Sequence, residues 1–137
     1  MLYPPTILFV EDDDEFRGMM SGEFERAGFK VVPCATGGEE AIGMIGEGNY
    51  DLVLFDLGLP TISNPYASHA DSKKEGFRVL GVVQNMVKIK DKPILVYSNF
   101  GEPEDVENSL KLGAKEHLVK SNYTPAEIVQ IIKKYLN

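Results

Sequence analysis

Acidic side chains directly follow two short apolar runs of the sequence. The run ILFV leads into Glu11 and Asp12, and the run LVLF leads into Asp56. Later runs end in the same way on a hydroxyl, Ser98, and on an ammonium, Lys120. A charge at the edge of a hydrophobic core is costly unless a partner stands beside it. The pattern therefore predicts that these side chains share one site.

Three carboxylates in one site call for a cation or for raised pKa values. At about 4 Å and an effective dielectric constant of about 20, two unit charges repel by roughly 4 kcal/mol, and Lys120 offsets only one of the acids. Oxygen ligands favour a hard ion, and a few protein oxygens completed by water and a phosphate suit Mg²⁺ better than Ca²⁺. The residues that zinc prefers show no ligand spacing here: His69, His117 and Cys34.

An aspartate carboxylate beside a divalent ion can act as a nucleophile toward phosphorus and form an acyl phosphate. Phosphoryl transfer depends mostly on positioning and on neutralisation of charge. In this arrangement the metal and Lys120 hold phosphoryl oxygens, and Ser98 donates a hydrogen bond to another. The residues that follow the apolar runs thus match the needs of phosphoryl transfer to a carboxylate.

The elements that must position these residues are strands and helices in alternation. Apolar runs at residues 7–10, 31–34, 52–55, 94–97 and 118–119 are continuous, which is typical of strands covered on both faces of a parallel sheet. Helical patterns fall between them. This order predicts a doubly wound α/β domain, in which ligands bind at the carboxyl ends of the strands. The polar residues that follow the runs are therefore expected to meet at one edge of the sheet.

Helix boundaries are marked by capping residues. Gly28 stands where the first helix is expected to stop. The segment TGGE, residues 36–39, predicts a capping box for the second helix, and TPAE, residues 124–127, predicts one for the last helix. A polar stretch at residues 61–75 is predicted to be a loop, longer than most connections in compact domains. The lysines that flank this loop, among them Lys73, are interpreted as a solvated face.

Composition limits the class of protein. The chain has 137 residues, so one domain spanning residues 1–137 and one core are expected. A net charge of -7 argues against a general nucleic-acid surface, which needs clustered Lys and Arg. The single cysteine, Cys34, excludes an internal disulfide and is expected in the core. No apolar run approaches the roughly 18 residues of a membrane span, and no signal-peptide pattern opens the sequence, so a cytoplasmic location is expected.

In these residues the chain resembles the receiver domain of two-component response regulators. The stretch ILFVEDD places Glu11 and Asp12 on the acidic pair of that family, and YDLVLFDLGLP places Asp56 on its phosphoacceptor. Ser98, at the end of PILVYS, falls on the hydroxyl position, and Lys120, in GAKEHLVK, falls on the family's lysine. The resemblance covers the chain from about Ile7 to Leu136 and implies a five-stranded, flavodoxin-like (βα)5 fold.

The resemblance also implies a function. Asp56 is expected to take a phosphoryl group from a histidine kinase or a histidine phosphotransfer protein, as part of a phosphorelay. Mg²⁺ is expected to bind Asp12, Asp56 and the backbone carbonyl of Gly58, with Glu11 acting through a metal-bound water. Such a domain is a phosphoacceptor and not an enzyme in its own right, although it contributes to its own phosphotransfer and autodephosphorylation.

The implied output is a change of shape. Ser98 and the residue at the family's aromatic switch position move toward the phosphate and remodel the face of the fourth helix, fifth strand and fifth helix, which binds a downstream protein. A homodimer is also left open. The fourth helix, near residues 104–112, is expected to be anchored by Val106 and Leu110. Neither nucleic acid nor membrane is expected as a direct partner.

Four features depart from the family pattern. His117 occupies the aromatic switch position, and Asn99 replaces the small residue that usually follows the switch hydroxyl. Ser121 replaces a proline, so the family's cis peptide, which costs about 3 kcal/mol without proline, is expected to be absent. The loop at residues 61–75 is longer than the family pattern, in which a glycine matched by Gly76 follows sooner. This loop is either a lid or kinase contact at the site, or a surface insertion without a role.

The departures keep other functions open. A receiver-like interaction module that is never phosphorylated is the alternative to the phosphorylation switch. The segment FDLGLP also suggests a phosphatase of the haloacid dehalogenase type. In that superfamily the nucleophilic aspartate follows the first strand and a second aspartate stands two residues later, whereas here Asp56 follows the third run and the later position is Gly58. No output domain is expected after the fifth helix, which fits either a stand-alone regulator or an excised receiver.

Overall fold

The fold is a five-stranded parallel sheet covered by helices on both faces. It is seen in a computed structural model, which describes residues 4–60, 69–86 and 91–136. The strands run in the order β2-β1-β3-β4-β5, which confirms the predicted doubly wound architecture. They are β1 (Thr6–Val10), β2 (Lys30–Cys34), β3 (Leu52–Phe55), β4 (Ile94–Ser98) and β5 (Glu116–Val119). The helices are α1 (Asp14–Arg26), α2 (Gly38–Glu47), α3 (His69–Val83), α4 (Pro103–Lys111) and α5 (Pro125–Leu136).

Two hydrophobic layers hold the helices against the sheet. Alternate residues of the central strands point to opposite faces, so Val53 and Phe55 pack in the layer of α2 and α3, whereas Leu52 and Leu54 pack in the layer of α1 and α5. All four of these β3 residues are fully buried. Burial on both faces therefore requires a continuous apolar run in β3, and the polar Asp56 comes only after its end.

Local capping fixes two of the helices that position the site. Asp13 is the N-cap of α1, and its side chain accepts a hydrogen bond from the Phe16 N–H at 3.0 Å. Gly28 has a φ of 97° and follows the end of this helix, as predicted. The box at the start of α5 is confirmed, because the Glu127 carboxylate accepts from the Thr124 N–H and the Thr124 hydroxyl accepts from the Glu127 N–H.

The predicted capping box of α2 is wrong. The N-cap is Gly37, which has a φ of 135° and no side-chain cap. A Cβ at Gly37 would lie 2.9 Å from the carbonyl oxygen of Pro60, so this close approach of two backbones requires glycine. The preceding N–H groups, of Ala35 and Thr36, instead donate to Glu40 at 2.9 and 3.3 Å.

The prediction of a loop at residues 61–75 is wrong for residues 69–75. Helix α3 already begins at His69, so residues 69–75 continue the helix back from Gly76 by about two turns, and residues 61–68 lie outside the described part of the chain. At Gly76 the helix touches the end of β3 so closely that a Cβ would lie 2.1 Å from the carbonyl oxygen of Leu57. The added turns therefore extend a helix that is fixed against the sheet.

The predicted anchors of α4 are also wrong. Leu110 is 47% exposed and Val106 is only half-buried, whereas Asp105 and Ser109 are the buried residues of this helix. Both polar side chains have partners, because Lys73 pairs with Asp105 and His117 bonds to Ser109. Polar contacts thus decide which face of α4 is turned inward.

Candidate functional site

The predicted residues do come together at the carboxyl edge of the sheet. Glu11 follows β1 and Asp56 follows β3, and these neighbouring strands pair Val10 with Phe55 at their ends. The register is continued by a hydrogen bond from the Asp56 N–H to the Val10 carbonyl at 3.0 Å. Glu11 and Asp56 are only 1% and 7% exposed. The sheet therefore brings two carboxylates side by side in a setting that excludes most water.

Lys120 pairs with both buried acids. Its Nζ lies 2.6 Å from Glu11 Oε1 and 3.3 Å from Asp56 Oδ2. The ammonium also lies 4.3 Å from the ring centroid of Phe16, which places it over an aromatic face. Burial alone would lower the pKa of Lys120, but the charges of Asp56 and Glu11 and their hydrogen bonds outweigh it and raise the pKa above its ordinary value. Lys120 is therefore held as a cation.

One lysine does not neutralise the site. Burial, followed by the negative charge of Asp56, raises the pKa of Glu11 to about 7. Partial burial and the same charge also raise the pKa of Asp12, which stays exposed at the rim. The raised pKa values of these two acids mean that burial and mutual repulsion make their negative charges unfavourable in the folded protein. The site is thus prepared for added positive charge.

The acids can hold a divalent cation. Carboxylate oxygens of Glu11, Asp12 and Asp56 lie within 4.8 Å of one another, the only such group of potential ligands among the described residues. Every donor is an oxygen, which is the preference of Mg²⁺. Gly58 is close by, since its N–H donates to Asp56 Oδ1 at 3.1 Å. The donor set is therefore compatible with Mg²⁺.

A pocket of about 410 Å³ opens above these groups. It is lined by the predicted residues Glu11, Asp12, Asp56, Gly58, Ser98 and Lys120, and also by Asp13, Ser72, Asn99 and Phe100. Ser72 belongs to the added turns of α3, and sequence reasoning missed it because those turns were predicted to be loop. The run of residues 69–75 contains few breakers, and this was the one indication that a helix could extend there.

The switch residues predicted from the resemblance lie on two sides of Phe100. The buried Ser98 hydroxyl oxygen accepts a hydrogen bond from the Phe100 N–H at 3.3 Å. His117 Nε2 donates to the Phe100 carbonyl at 2.6 Å, and in the neutral ring Nδ1 accepts from the Ser109 hydroxyl at 2.9 Å. His117 is therefore anchored between α4 and the loop after β4, and it does not line the pocket.

The turn after Lys120 differs from the family pattern as expected. Residues Lys120–Asn122 form a short 3-10 turn. All peptide bonds of the described residues are trans, so the bond before Ser121 is trans. Lys120 reaches the acids directly from the end of β5.

Fold and site together define a class: flavodoxin-like domains that carry an acidic cluster and a lysine at the carboxyl edge of a 2-1-3-4-5 sheet. The chain belongs to the response regulator receiver domain family, which matches residues 7–133. It is thus a receiver domain, a signalling domain of the type found in two-component systems.

Known proteins support this assignment. The chain is 28% identical over 130 residues to a probable transcriptional regulator, ycf27, of Guillardia theta and to the transcriptional regulatory protein SrrA of Staphylococcus aureus. The match covers 95% of this chain but only 44% and 47% of those proteins, so the chain spans less than half of their length.

Solved structures show the same fold. A putative response regulator from Chloroflexus aurantiacus superposes with a TM-score of 0.78 at 28% identity, covering 97% of this chain and 98% of that one. A CheY-like receiver domain protein from Methanospirillum hungatei gives a TM-score of 0.78 at 22% identity, covering 97% of this chain and 94% of that one. Within the described residues, none of the helices combines the length and apolarity needed to cross a membrane.

Proposed function

We propose that this chain is a phosphorylation switch in which Asp56 accepts a phosphoryl group from the phosphohistidine of a kinase or phosphotransfer protein. A carboxylate oxygen of Asp56 forms a bond to phosphorus, the bond from phosphorus to the histidine nitrogen breaks, and the nitrogen regains a proton. The observation that carries the proposal is the shared contact of Lys120 with Asp56 and Glu11 beneath an open pocket. This arrangement leaves a buried nucleophile facing a place where a phosphate fits.

Each residue has a role in this proposal. Asp12, Asp56 and the Gly58 carbonyl would hold Mg²⁺, with Glu11 acting through water, and the ion would supply positive charge to neutralise the phosphoryl oxygens. Lys120 is 3.3 Å from Asp56 Oδ2 and can move with the phosphoryl group as an ion-pair partner. Ser98 lines the pocket and donates its hydroxyl proton to a phosphoryl oxygen. Hydrolysis of the acyl phosphate by water in the same pocket returns the domain to its resting state.

Partners are part of the proposal. Family membership supports a histidine kinase or phosphotransfer protein as the phosphodonor in the cytoplasm. The names of the relatives describe transcriptional regulators, and this chain spans less than half of them, so we propose that the face of α4, β5 and α5 passes the state of the site to a protein partner. The anchored His117 is the observation that favours the alternative, an interaction module without phosphorylation.

Acetyl phosphate with Mg²⁺ separates the two functions. Intact-protein mass spectrometry should show one added phosphate on the natural chain, no addition on Asp56→Asn, and no addition when EDTA removes the metal. Asp51→Asn is a matched control, because Asp51 binds the Thr6 N–H at the opposite end of β1. A natural chain that gains no phosphate from acetyl phosphate or from a phosphorylated phosphotransfer protein would establish the interaction module instead.

A further inference from the structure

Helix α4 is joined to α3 by an ion pair between a partly exposed lysine and a buried carboxylate. Lys73 Nζ lies 3.0 Å from Asp105 Oδ1, and the Asp105 side chain is only 4% exposed. The second oxygen of this carboxylate, Oδ2, is buried without a hydrogen-bond partner, and it is the one such side-chain atom in the described ranges. A buried carboxylate with half of its hydrogen bonding unsatisfied is a costly arrangement. The contact therefore joins α4 to α3 while leaving one buried carboxylate oxygen unsatisfied.

The lysine reaches α4 from the added turns of α3. Lys73 precedes Gly76, so it belongs to the part of the helix that exceeds the family pattern. Its interpretation as a solvated residue is wrong, because its side chain is only 30% exposed and its ammonium forms an ion pair with the buried Asp105. The turns that the insertion adds thus bring a cation to a helix whose inward face is polar.

The same lysine touches the rim of the pocket. Its Nζ lies 5.5 Å from the ring centroid of Phe100. The ring of Phe100 packs on Gly58, where an added Cβ would come within 3.2 Å of it, and the Phe100 N–H is bound by Ser98. Lys73 therefore contacts both α4, through Asp105, and Phe100, whose N–H is bound to Ser98.

We propose that the Lys73–Asp105 pair is an inhibitory latch: it holds α4 in its resting position, and phosphorylation of Asp56 opens it. The inference rests on the proposed function and adds a form of regulation to it. When Ser98 turns so that its hydroxyl donates to a phosphoryl oxygen, its oxygen moves away from the Phe100 N–H, this hydrogen bond weakens, and the loop after β4 can shift. Phe100 then moves away from the Lys73 ammonium, and the contacts that position the lysine over Asp105 weaken.

The latch must also act in the reverse direction. A contact that is stronger in the resting state than in the active state lowers the population that is competent for phosphorylation. By linkage, breaking the pair must favour phosphorylation as much as phosphorylation favours breaking the pair. Removal of the latch should therefore loosen α4 before any phosphate is added and should speed the labelling of Asp56.

Hydrogen exchange of the unphosphorylated protein tests the first half. Asp105→Asn removes the pair without leaving a buried charge, whereas Lys73→Met leaves the carboxylate alone. We expect α4 amides to exchange at least 10-fold faster in Lys73→Met and about 3- to 10-fold faster in Asp105→Asn. The double variant should exchange no faster than Asp105→Asn alone. Lys111→Met is the matched control, because it breaks an exposed pair with Glu107 on the same helix and should change exchange less than twofold.

Labelling by acetyl phosphate and Mg²⁺ tests the second half. Asp105→Asn should be phosphorylated at least threefold faster than the natural chain, and Lys111→Met at the natural rate. Unchanged α4 exchange in both Asp105→Asn and the double variant, or faster exchange in α1 as well as α4, would overturn the latch. So would a loosened α4 with an unchanged labelling rate. If α4 exchanged faster in the variants but neither the variants nor the natural chain were labelled, the proposed phosphorylation of Asp56 would be wrong.

Discussion

Replacing Asp56 by Asn should make the metal-free protein more stable. The carboxylate oxygens of the three acids lie within 4.8 Å of one another, so each neighbour repels Asp56 by about 3.5 kcal/mol at an effective dielectric constant of about 20. Lys120 at 3.3 Å returns roughly 5 kcal/mol on the same scale. Because solvent screens the exposed Asp12, we expect the free energy of unfolding to rise by about 1–2 kcal/mol.

Urea unfolding at pH 8 in EDTA measures this change. That pH keeps Glu11 mostly ionised, because its pKa is about 7. Added Mg²⁺ should then reverse the order: at ten times its dissociation constant, the ion stabilises the natural chain by about 1.4 kcal/mol, and it should bind the variant far more weakly. Asp14→Asn is the control, since that side chain is 88% exposed and its loss should change stability by less than about 0.5 kcal/mol.

Two results would refute the reasoning. One is a variant that is less stable than the natural chain in EDTA, which would mean that Lys120 more than neutralises the acids. The other is an equal stabilisation of both proteins by Mg²⁺, which would mean that the ion does not bind at Asp56. Either result would remove the electrostatic basis of the candidate metal site.

Three further predictions concern pH, packing and the anchored histidine. Between its ordinary pKa of 4.5 and its folded pKa of about 7, Glu11 binds more protons in the folded state than in the unfolded state. In EDTA the free energy of unfolding should therefore fall as pH rises from 5 to 7.5, by no more than about 3 kcal/mol. A flat or rising profile in urea titrations would contradict this. Gly76→Ala should lower stability by about 3 kcal/mol, because its Cβ would lie 2.1 Å from the backbone carbonyl oxygen of Leu57. Gly43→Ala, with open space around it, should be neutral or stabilising by up to about 1 kcal/mol in the same urea titrations. His117→Phe should lower stability by about 1–3 kcal/mol, since it leaves the buried Ser109 hydroxyl without its histidine partner, and adding Ser109→Ala should recover part of the loss; a neutral His117→Phe would show that the anchor carries no energy.

The sheet and most of the acidic site could be predicted because they depend on local patterns. Continuous apolar runs locate parallel strands, and the topology of a doubly wound sheet then places everything that follows those strands on one edge. Glu11, Asp56 and Lys120 are neighbours for this reason alone. The distances among them and the raised pKa values of Glu11 and Lys120 needed the structure, because both depend on how deeply each side chain is buried.

The errors have a shared physical cause, which is contact between residues distant in sequence. The cap of α2 is set by the backbone of Pro60, and no pattern within residues 36–39 contains that information. The inward face of α4 is polar because Lys73 arrives from another helix to pair with Asp105. Apolar periodicity predicts the buried face only where the neighbouring element offers no partner for a polar side chain.

The added turns of α3 also make the chain sensitive to small changes of length. In a flexible connection, one residue more or less is absorbed by the loop, but each residue of a helix rotates what precedes it by about 100° and shifts it by about 1.5 Å. Gly76 fixes the phase of α3 against the sheet, so deletion of a single residue between Lys73 and Gly76 would swing the ammonium around the helix axis and away from Asp105. Only insertions or deletions of about a whole helical turn would keep the residue at the position of Lys73 facing Asp105.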